Sequence, residues 1–589
     1  MSKFRIVNLT DLVSSGILEE ILSDNVTALC GSAISIASPT NLQPGLSVTW
    51  EITKSLCREA RVNDQTMIEQ VASSAFEALM QAYPFPLQAT TILSHYFSRS
   101  PHKSRLEANS AHKALASLFA TRSIKHIVTP NYDEGIELAL KMSHAEFRYD
   151  RHVGLPIIRP KGPLLLKIHG TASDEKSLVF TLDREAIIPR IHRSFLRSII
   201  GNRLLVVGYS GRDFEICPEI YAANLDHIYW IARPKPGTQN EPDLEPLAQK
   251  ILMRHPSTII CGDLYKCLEI ISGLSFPNKT ISKPESLTKQ LLKKLSREDR
   301  LVWAAHVFSN CSIPAACRKA AVRRGLGPEE VERFYLSTGG LHTGRFYDQA
   351  KNCVADAHTA NDPVERINHL LGACGAYGMG DFADEAKSSL DEAISLIWQN
   401  RHCIPRDVRD RARWLHILHR EEEYLTSNGG KQTQSKRITK LVRLYAEAQS
   451  AGQYGHAATL ADWLWSKDKY RLKGSFKGEL VREAEELYNQ VGNFVGQVTK
   501  LRLRAFREQD KSLAQKMIEQ VPQLKKFELW PELFRVYHVA IHFDSDLYQR
   551  RLLFKKFKST FMRCQVSHVY RERELLAARK AVKFPLRIN

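Results

Sequence analysis

The sequence contains no long apolar segment and no closely spaced pair of cysteines. No apolar run approaches the roughly 18 residues that a membrane-spanning helix requires, and the N-terminal residues lack the apolar stretch of a secretory signal. The eleven cysteines are scattered without any C-x-x-C pair, so a disulfide framework is not expected in a chain of 589 residues. These absences predict a protein of the reducing cytoplasm that makes no membrane contact.

Acidic residues are scarce relative to basic ones. There are 64 Asp and Glu against 83 Lys and Arg, which gives a formal net charge of +19. Apolar residues (43%) and charged residues (25%) occur at ordinary globular frequencies, so a wholly disordered chain is excluded. At roughly 150 residues per domain, the length predicts about four structural units. The positive charge is compatible with binding of a nucleic acid, with binding of another acidic ligand, and with a role in solubility alone.

Short aliphatic runs bounded by turn residues recur through the first half of the chain. They lack polar alternation, which predicts strands that are buried on both faces of a parallel sheet. Helical patterns between them, such as residues 132–142, predict a Rossmann-like, doubly wound α/β domain over residues 1–275. Residues 51–125 lack strand patterns and are predicted to form a helical insertion. The predicted strands are residues 26–30, 126–128, 164–168, 204–207, 228–231 and 258–260.

The second half of the chain shows no pattern of a buried strand. Residues 276–284, FPNKTISKP, are polar, contain two prolines and predict a linker. Beyond them a Gly-x-aromatic pattern, followed four positions later by Ala or Val, recurs at Gly344, Gly380, Gly452 and Gly492, with spacings of 36, 72 and 40 residues. These spacings resemble tetratricopeptide repeats and predict an all-α helical-repeat domain over residues 285–589. An irregular helical bundle is the alternative.

The excess positive charge is concentrated at the C-terminus. Residues 549–589 contain 12 Lys and Arg but only two Glu, and RRLLFKKFKSTF is compatible with an amphipathic helix. Three interpretations stay open at this point. The segment is a solvated cap on the helical repeats, a surface for nucleic acid or an acidic partner, or an oligomer contact.

Four polar segments each follow a predicted strand in the first half. Because the carboxyl ends of parallel strands meet at one edge of a sheet, we expect these segments to line one ligand crevice. The segments are CGSAIS (30–35), TPNYD (129–133), KIHGT (167–171) and GYSGRD (208–213).

Each segment has a chemical and a purely structural interpretation. Small residues after the first strand allow backbone amides to approach a pyrophosphate, or only allow close packing. Asn131 and Asp133 face the crevice or cap the next helix. His169 transfers a proton or is structural. Asp213 contacts a ligand or caps a helix.

In this order, the four segments resemble the sirtuin superfamily, and in particular the SIR2-like NAD-hydrolysing domains of bacterial antiphage defence proteins. The resemblance covers residues 15–275. TPNYD resembles the family's T-x-N-x-D, IHG resembles its catalytic H-G, and GYSGRD resembles G-Y-S-x-x-D. The 38 residues that separate Asn131 from His169 also suit the family.

The resemblance implies NAD+ as the substrate and assigns a role to each segment. Asn131 would position the water molecule and the nicotinamide ribose, and His169 would be the general base. The residues implied in NAD+ binding are Gly31, Ser32, Ala33 and Ser35 at the phosphates, Asp133 on the nicotinamide side, and Gly208, Ser210 and Asp213 around the adenosine half, with Thr129 and Tyr209 beside them.

Two departures from the family pattern bear on function. Ala33 occupies the second glycine position of the family's G-A-G-x-S, where a methyl group restricts the approach of a pyrophosphate unless the backbone is ordinary. No cysteine lies between His169 and Gly208, where deacetylating sirtuins carry two zinc-binding C-x-x-C pairs. Zinc is therefore not expected, and water is favoured over an acyl-lysine as the acceptor, which predicts hydrolysis of NAD+ to nicotinamide and ADP-ribose.

By the same resemblance, the protein is expected to act in antiphage defence by depleting NAD. The resemblance implies a homo-oligomer that responds to a phage-derived trigger or to a partner defence protein. The alternatives are an NAD-dependent protein deacylase or ADP-ribosyltransferase, the SIR2 subunit of an Argonaute-type nucleic-acid-guided complex, and a scaffold whose degenerate site binds NAD without turnover.

Overall fold

The protein divides into two compact units. The N-terminal unit comprises residues 1–54 and 75–296, and the helical unit comprises residues 55–74 and 297–589. The computed structural model describes residues 4–23, 26–74, 76–100, 103–145, 148–151, 162–181, 190–211, 216–238, 241–276, 284–327, 343–404 and 510–583, with isolated residues between 329 and 334, 408 and 419, and 444 and 505.

Eight strands form one sheet in the N-terminal unit. They are β1 (Phe4–Asn8), β2 (Val26–Cys30), β3 (Ile124–Thr129), β4 (Arg148–Arg151), β5 (Leu164–Lys167), β6 (Arg203–Val207), β7 (His227–Ala232) and β8 (Ser257–Cys261). Their order is β1-β8-β7-β6-β2-β3-β5-β4, and every neighbouring pair is parallel. The strand order therefore reverses at β2, whose two neighbours are β3 and β6.

Helices connect the strands. Those before residue 296 are α1 (Ile17–Ser23), α2 (Gly45–Glu59), α3 (Gln65–Ala72), α4 (Phe76–Gln81), α5 (Pro86–Phe97), α6 (Ser110–Ala120), α7 (Gly135–Met142), α8 (Arg190–Ile200), α9 (Ile216–Ala222), α10 (Pro246–Arg254), α11 (Leu264–Ser272) and α12 (Leu287–Lys293). The predicted insertion at 51–125 contains most of α2 and all of α3 to α6, and α3 belongs to the helical unit.

Both faces of the sheet are buried under helices. Successive strand residues point to opposite faces, so Leu204 and Val206 of β6 enter one hydrophobic core while Leu205 and Val207 enter the other. Helices α8, α9 and α10 contribute to the first core, and α1, α6, α7 and α11 contribute to the second. The predicted α/β architecture with a doubly wound parallel sheet is confirmed.

The six predicted strands are all present, and most extend by one or two residues beyond the predicted bounds. Two further strands, β1 and β4, were not predicted, and they are the two outermost strands of the sheet. In β1 only Val7 is buried, and β4 is the polar sequence RYDR. An edge strand is not enclosed on all sides, so neither segment carries the continuous apolar run by which the interior strands were identified.

The helical unit contains helices and, among its described residues, no strand. Besides α3 and the end of α2 from residue 55, they are α13 (Arg297–Asn310), α14 (Pro314–Arg323), α15 (Phe346–Thr359), α16 (Pro363–Met379), α17 (Ala383–Gln399), α18 (Lys511–Glu519), α19 (Val521–Lys526), α20 (Trp530–Phe543), α21 (Leu547–Phe561) and α22 (His568–Lys583). The predicted helical character of this region is confirmed for the described part. The linker prediction at 276–284 falls almost wholly outside it.

Two of the four predicted repeat turns lie in the described residues. Gly344 has a φ of +78°, and the turn leads into α15, where Ala350 is fully buried. Gly380 precedes α17, where Ala386 is fully buried, and a Cβ at Gly380 would lie 2.6 Å from the Phe382 ring. Each turn thus combines a glycine with a small buried residue that allows close helix packing. The turns at 452 and 492 are outside the described residues, and a regular repeat array stays a prediction.

Ala386→Leu should destabilise the helical unit by about 1–3 kcal/mol, because three extra carbon atoms must enter a filled core. The measurement is a urea unfolding curve followed by circular dichroism. Ala383→Leu is the matched control, since Ala383 is exposed in the same helix and should change stability by less than about 0.5 kcal/mol. Equal destabilisation by both variants would contradict the packing assigned to Ala386.

Candidate functional site

The four polar segments identified in the sequence follow four adjacent strands. β6, β2, β3 and β5 lie side by side, and residues 208–211, 31–35, 130–133 and 168–171 directly follow them. In open α/β sheets, ligands bind at the carboxyl ends of the strands where the strand order reverses. That position is occupied by β2 in this sheet. The structure therefore brings the described parts of all four segments to the expected crevice.

The first and fourth segments touch through their backbones. The Gly31 amide donates to the Val207 carbonyl at 2.9 Å, and the Ala33 amide donates to the Gly208 carbonyl at 3.1 Å. A Cβ at Gly31 would lie 2.5 Å from the Gly208 oxygen. Gly208 itself has a φ of +63°, which favours glycine. Both glycines are therefore required by the fold of the crevice.

Ala33 fits this arrangement without strain. It lies within a short 3-10 turn, Ser32–Ser35, whose backbone conformation any residue adopts. A Cβ placed on Gly208 would be 3.1 Å from the Ala33 methyl group, so the glycine at 208 leaves room for the alanine at 33. Ser32 and Ser210 are exposed beside this contact. The side chain of Tyr209 is instead buried in the core near Trp230, with 6.2 Å between ring centroids.

The second segment is bonded to the first. The Thr129 hydroxyl donates to the Cys30 carbonyl at 2.7 Å and accepts from the Asn131 amide at 3.1 Å. The Asn131 side chain donates from Nδ2 to the Gly31 carbonyl at 3.2 Å. Asn131 is 8% exposed, and Thr129 is fully buried. Thr129 therefore fixes the turn after β3, and the Asn131 side chain is bonded to the backbone where Gly31 meets the turn after β6.

His169 lies just after the end of β5, and its side chain is only 2% exposed. Its carbonyl accepts from the Val179 amide at 2.9 Å, and its ring faces the Tyr132 ring at a centroid distance of 6.1 Å. Gly170 has a φ of +80°, and a Cβ there would lie 2.0 Å from the Ser177 oxygen. Glycine at position 170 is thus required by the turn after β5, because a side chain there would collide with the Ser177 backbone.

Asp133 accepts hydrogen bonds from two directions. The Ser35 hydroxyl donates to its Oδ2 at 2.9 Å, and the Gly135 amide donates to its Oδ1 at 3.0 Å. The second bond satisfies an amide at the start of α7, which is the capping role considered in the sequence analysis. Asp133 is 5% exposed, and its bond to the Ser35 hydroxyl holds the first segment in place.

His112 of α6 extends this network, and the sequence analysis did not identify it. Its Nδ1 accepts from the Asn109 amide at 3.2 Å, so its proton resides on Nε2, which lies 3.3 Å from the Ser35 hydroxyl. The implied chain of donation runs from His112 to Ser35 to Asp133. Burial lowers the pKa of His112 to about 4, so the ring is neutral near pH 7.

A buried ion pair lies beneath the second and third segments. Lys167, the last residue of β5, is fully buried, and its Nζ lies 3.2 Å from Oε1 of Glu137 in α7. The same ammonium donates to the Asp133 carbonyl. Burial raises the pKa of Glu137, and the Lys167 charge opposes that rise. The pair joins β5 to α7 directly below the turns that carry Asn131 and His169.

Helix α5 lies against the loop that follows His169. The Ser94 hydroxyl donates to the Ala172 carbonyl at 2.7 Å. The Phe97 ring lies 5.2 Å from the Tyr132 ring, whose hydroxyl donates to the Val179 carbonyl at 2.8 Å. The helical insertion therefore covers the same loop and the same tyrosine that enclose His169.

The sequence carried signals for the buried roles of Lys167, Glu137 and His112, which were not predicted. Lys167 ends an apolar strand, and Glu137 lies among apolar residues of a predicted helix; each is a charged residue where burial was expected. His112 follows Asn109 in a reciprocal capping pair at the start of α6, a pattern readable from sequence. Asp213, predicted to bind NAD+, lies outside the described residues.

The described residues contain no group of three or more His, Cys, Asp and Glu side chains arranged to hold a metal ion. Within the same part of the chain, no helix is both long enough and apolar enough to cross a bilayer.

Lys167→Met should destabilise the N-terminal unit by about 3–5 kcal/mol, because Glu137 is then left buried without its counter-charge. Adding Glu137→Leu should recover most of the loss. Urea unfolding of the single and double variants measures both effects. Lys125→Met, on the exposed side of neighbouring β3, is the control and should be nearly neutral. A double variant as unstable as Lys167→Met alone would contradict the pairing.

His112 should make the unfolding free energy depend on pH. Its pKa is about 4 in the folded protein but about 6.5 when unfolded, so acid protonates the unfolded chain first. The stabilisation from the neutral ring is complete above about pH 6.5 and is lost as the pH falls toward 4, by on the order of 3 kcal/mol. In His112→Gln this part of the acid sensitivity should be absent. A wild-type-minus-variant difference that is constant from pH 7 to about pH 4 would contradict it.

A sequence profile of the family described as SIR2-like domain matches residues 125–250. No match was found among curated proteins. The matched region runs from β3 into α10 and includes Asn131, His169 and the turn at 208–211. It supports a relationship of this region to the sirtuin-like superfamily. SIR2-like domains use NAD+, and the match therefore points to an NAD-utilising enzyme.

Proposed function

We propose that the N-terminal unit is an NAD+ glycohydrolase that cleaves the bond between nicotinamide and ribose and releases ADP-ribose. One observation carries the proposal. Two exposed serines flank a glycine-to-glycine backbone contact at the switch point of the sheet, and Asn131 is hydrogen-bonded directly to that contact. The proposed phosphate site and the proposed catalytic Asn131 would therefore lie side by side at the carboxyl ends of the strands.

The residues present suit NAD+ in two parts. Gly31 and Gly208 bring two strand ends into close backbone contact, and the hydroxyls of Ser32 and Ser210, exposed beside it, would contact the pyrophosphate. Asn131 and His169 would meet the nicotinamide ribose. Thr129, Ser35 and Asp133 then act through the backbone and side chains that they hold in place.

The proposed reaction requires little of the protein. The nicotinamide of NAD+ is already a cationic leaving group, so the C–N bond breaks without a general acid and its electron pair neutralises the ring. The ribose passes through an oxocarbenium-like state, as in glycoside hydrolysis. Asn131 orients a water molecule, whose oxygen bonds to the ribose carbon and whose proton passes to His169.

The absence of the family's zinc-binding cysteines favours water as the acceptor. No cysteine lies between His169 and Gly208, where deacetylating sirtuins carry two C-x-x-C pairs. Hydrolysis is therefore proposed in preference to deacylation or ADP-ribosylation of a protein.

The cellular role that we propose rests on the resemblance found in the sequence. NAD+ hydrolysis in the cytoplasm would deplete the cofactor during phage infection, and the helical unit would restrain the enzyme until a phage-derived protein or a partner defence protein engages it. An oligomeric active form belongs to the same proposal. Unrestrained turnover would poison the host cell, which is the reason to expect an inactive state.

The test is incubation of the purified full-length protein with NAD+, with and without lysate of infected cells, while nicotinamide is followed by chromatography. His169→Ala and Asn131→Ala should each reduce release by about 100-fold or more. His95→Ala and Asn202→Ala are matched controls, because both residues are exposed in the same unit, and they should retain wild-type rates. Full turnover in the two site variants would overturn the assignment.

The same incubation distinguishes the alternatives when an acetylated peptide and a protein mixture are added. An O-acyl-ADP-ribose product would identify a deacylase, and a labelled protein would identify a transferase. Binding of NAD+ without any product in every condition would identify a scaffold. Each of these three results would replace the hydrolase proposal.

A further inference from the structure

Helix α21 presents an unusual surface within the helical unit. Residues 547–561, LYQRRLLFKKFKSTF, contain five basic residues and no acidic residue. Phe557 and Phe561 are fully buried, and their ring centroids lie 6.0 Å and 4.7 Å from that of Phe534 in α20. The apolar face of α21 is therefore committed to packing, which fixes the opposite face toward solvent.

Four cations lie on the exposed face. Arg551, Lys555, Lys556 and Lys558 are all exposed, and none forms an ion pair with any residue that the structure describes. At 1.5 Å per residue they extend over about 10 Å of helix. The helix itself contains no carboxylate, and the single carboxylate of Asp546 caps its first turn, so the face keeps a net positive charge that attracts polyanions.

Apolar side chains are interleaved with the cations. Tyr548, Leu552 and Met562 are 72%, 38% and 50% exposed. Viewed along the helix axis, with 3.6 residues per turn, the four cations, Leu552 and Met562 all lie within about 80° of Tyr548. An exposed aromatic ring beside a row of cations combines a stacking platform with phosphate contacts, the composition used by proteins that bind single strands.

We propose that the exposed face of α21 binds single-stranded nucleic acid. The four cations of α21 contact successive phosphates, and the Tyr548 ring stacks on an unpaired base. A single strand is favoured over a duplex because a paired base offers no free face to Tyr548. A lipid surface is disfavoured because the continuous apolar face of α21 is already buried against α20.

The test is fluorescence anisotropy of a labelled mixed-sequence oligonucleotide of about 20 nucleotides, as RNA and as DNA, with the full-length protein. Four phosphate contacts on a single strand predict that affinity falls about 50-fold as salt rises from about 50 to about 200 mM. Combining Lys555→Glu, Lys556→Glu and Lys558→Glu should weaken binding at least tenfold. Circular dichroism verifies that this variant is folded, as expected for exposed positions.

The matched control has the same change in net charge elsewhere. Lys113→Glu, Lys266→Glu and Lys293→Glu are exposed positions outside the helical unit, and together they should leave binding within about twofold of wild type. Equal losses in the two triple variants would overturn the site, since non-specific charge would then explain the binding.

Two variants of Tyr548 distinguish base stacking from attraction by charge. Tyr548→Ala should weaken binding roughly tenfold, and Tyr548→Phe should leave it unchanged, because base stacking needs the ring and not the hydroxyl. Three results would each overturn the proposal. They are an affinity that does not change with salt concentration, tighter binding to a duplex than to a single strand, and binding only to phosphatidylserine vesicles. None of these results depends on NAD+ turnover, so this proposal and the hydrolase proposal are tested separately.

Discussion

The candidate site depends on the close approach of two neighbouring strand ends. The turn after β2 touches the turn after β6 through backbone atoms, and a Cβ on Gly31 would lie 2.5 Å from the Gly208 oxygen. The same contact leaves the Gly31 carbonyl available to the Asn131 side chain. The placement of the Asn131 side chain therefore follows from the absence of a side chain at position 31.

Polar groups beneath the crevice hold the turns in one arrangement. Ser35, Asp133 and neutral His112 form one hydrogen-bonded chain, and Lys167 is paired with Glu137 and bonded to the Asp133 carbonyl. Each unmade hydrogen bond in a buried position has a free-energy cost, so these bonds favour one arrangement of the turns after β2, β3 and β5. The burial of the Glu137 carboxylate depends on the neighbouring charge of Lys167.

Interior strands were predictable from the sequence, whereas the edges were not. β2, β5 and β6 are buried on both faces and show continuous apolar runs, while β1 and β4 at the two edges do not. The four candidate segments were found because each directly follows an interior strand. His112 escaped because it lies on α6, 77 residues from Ser35 along the chain, and only the fold brings the two together.

The sequence by itself determined the local features of this protein: the buried strands, the glycine turns, the helical second half and the excess of basic residues near the C-terminus. Local residue types suffice for these features because they depend on neighbours a few positions away. The tertiary structure decided which turns meet, since strand order follows from packing between distant segments. It also decided which side of α21 is exposed, because the burial of Phe557 and Phe561 against α20 leaves the cations on the solvent side.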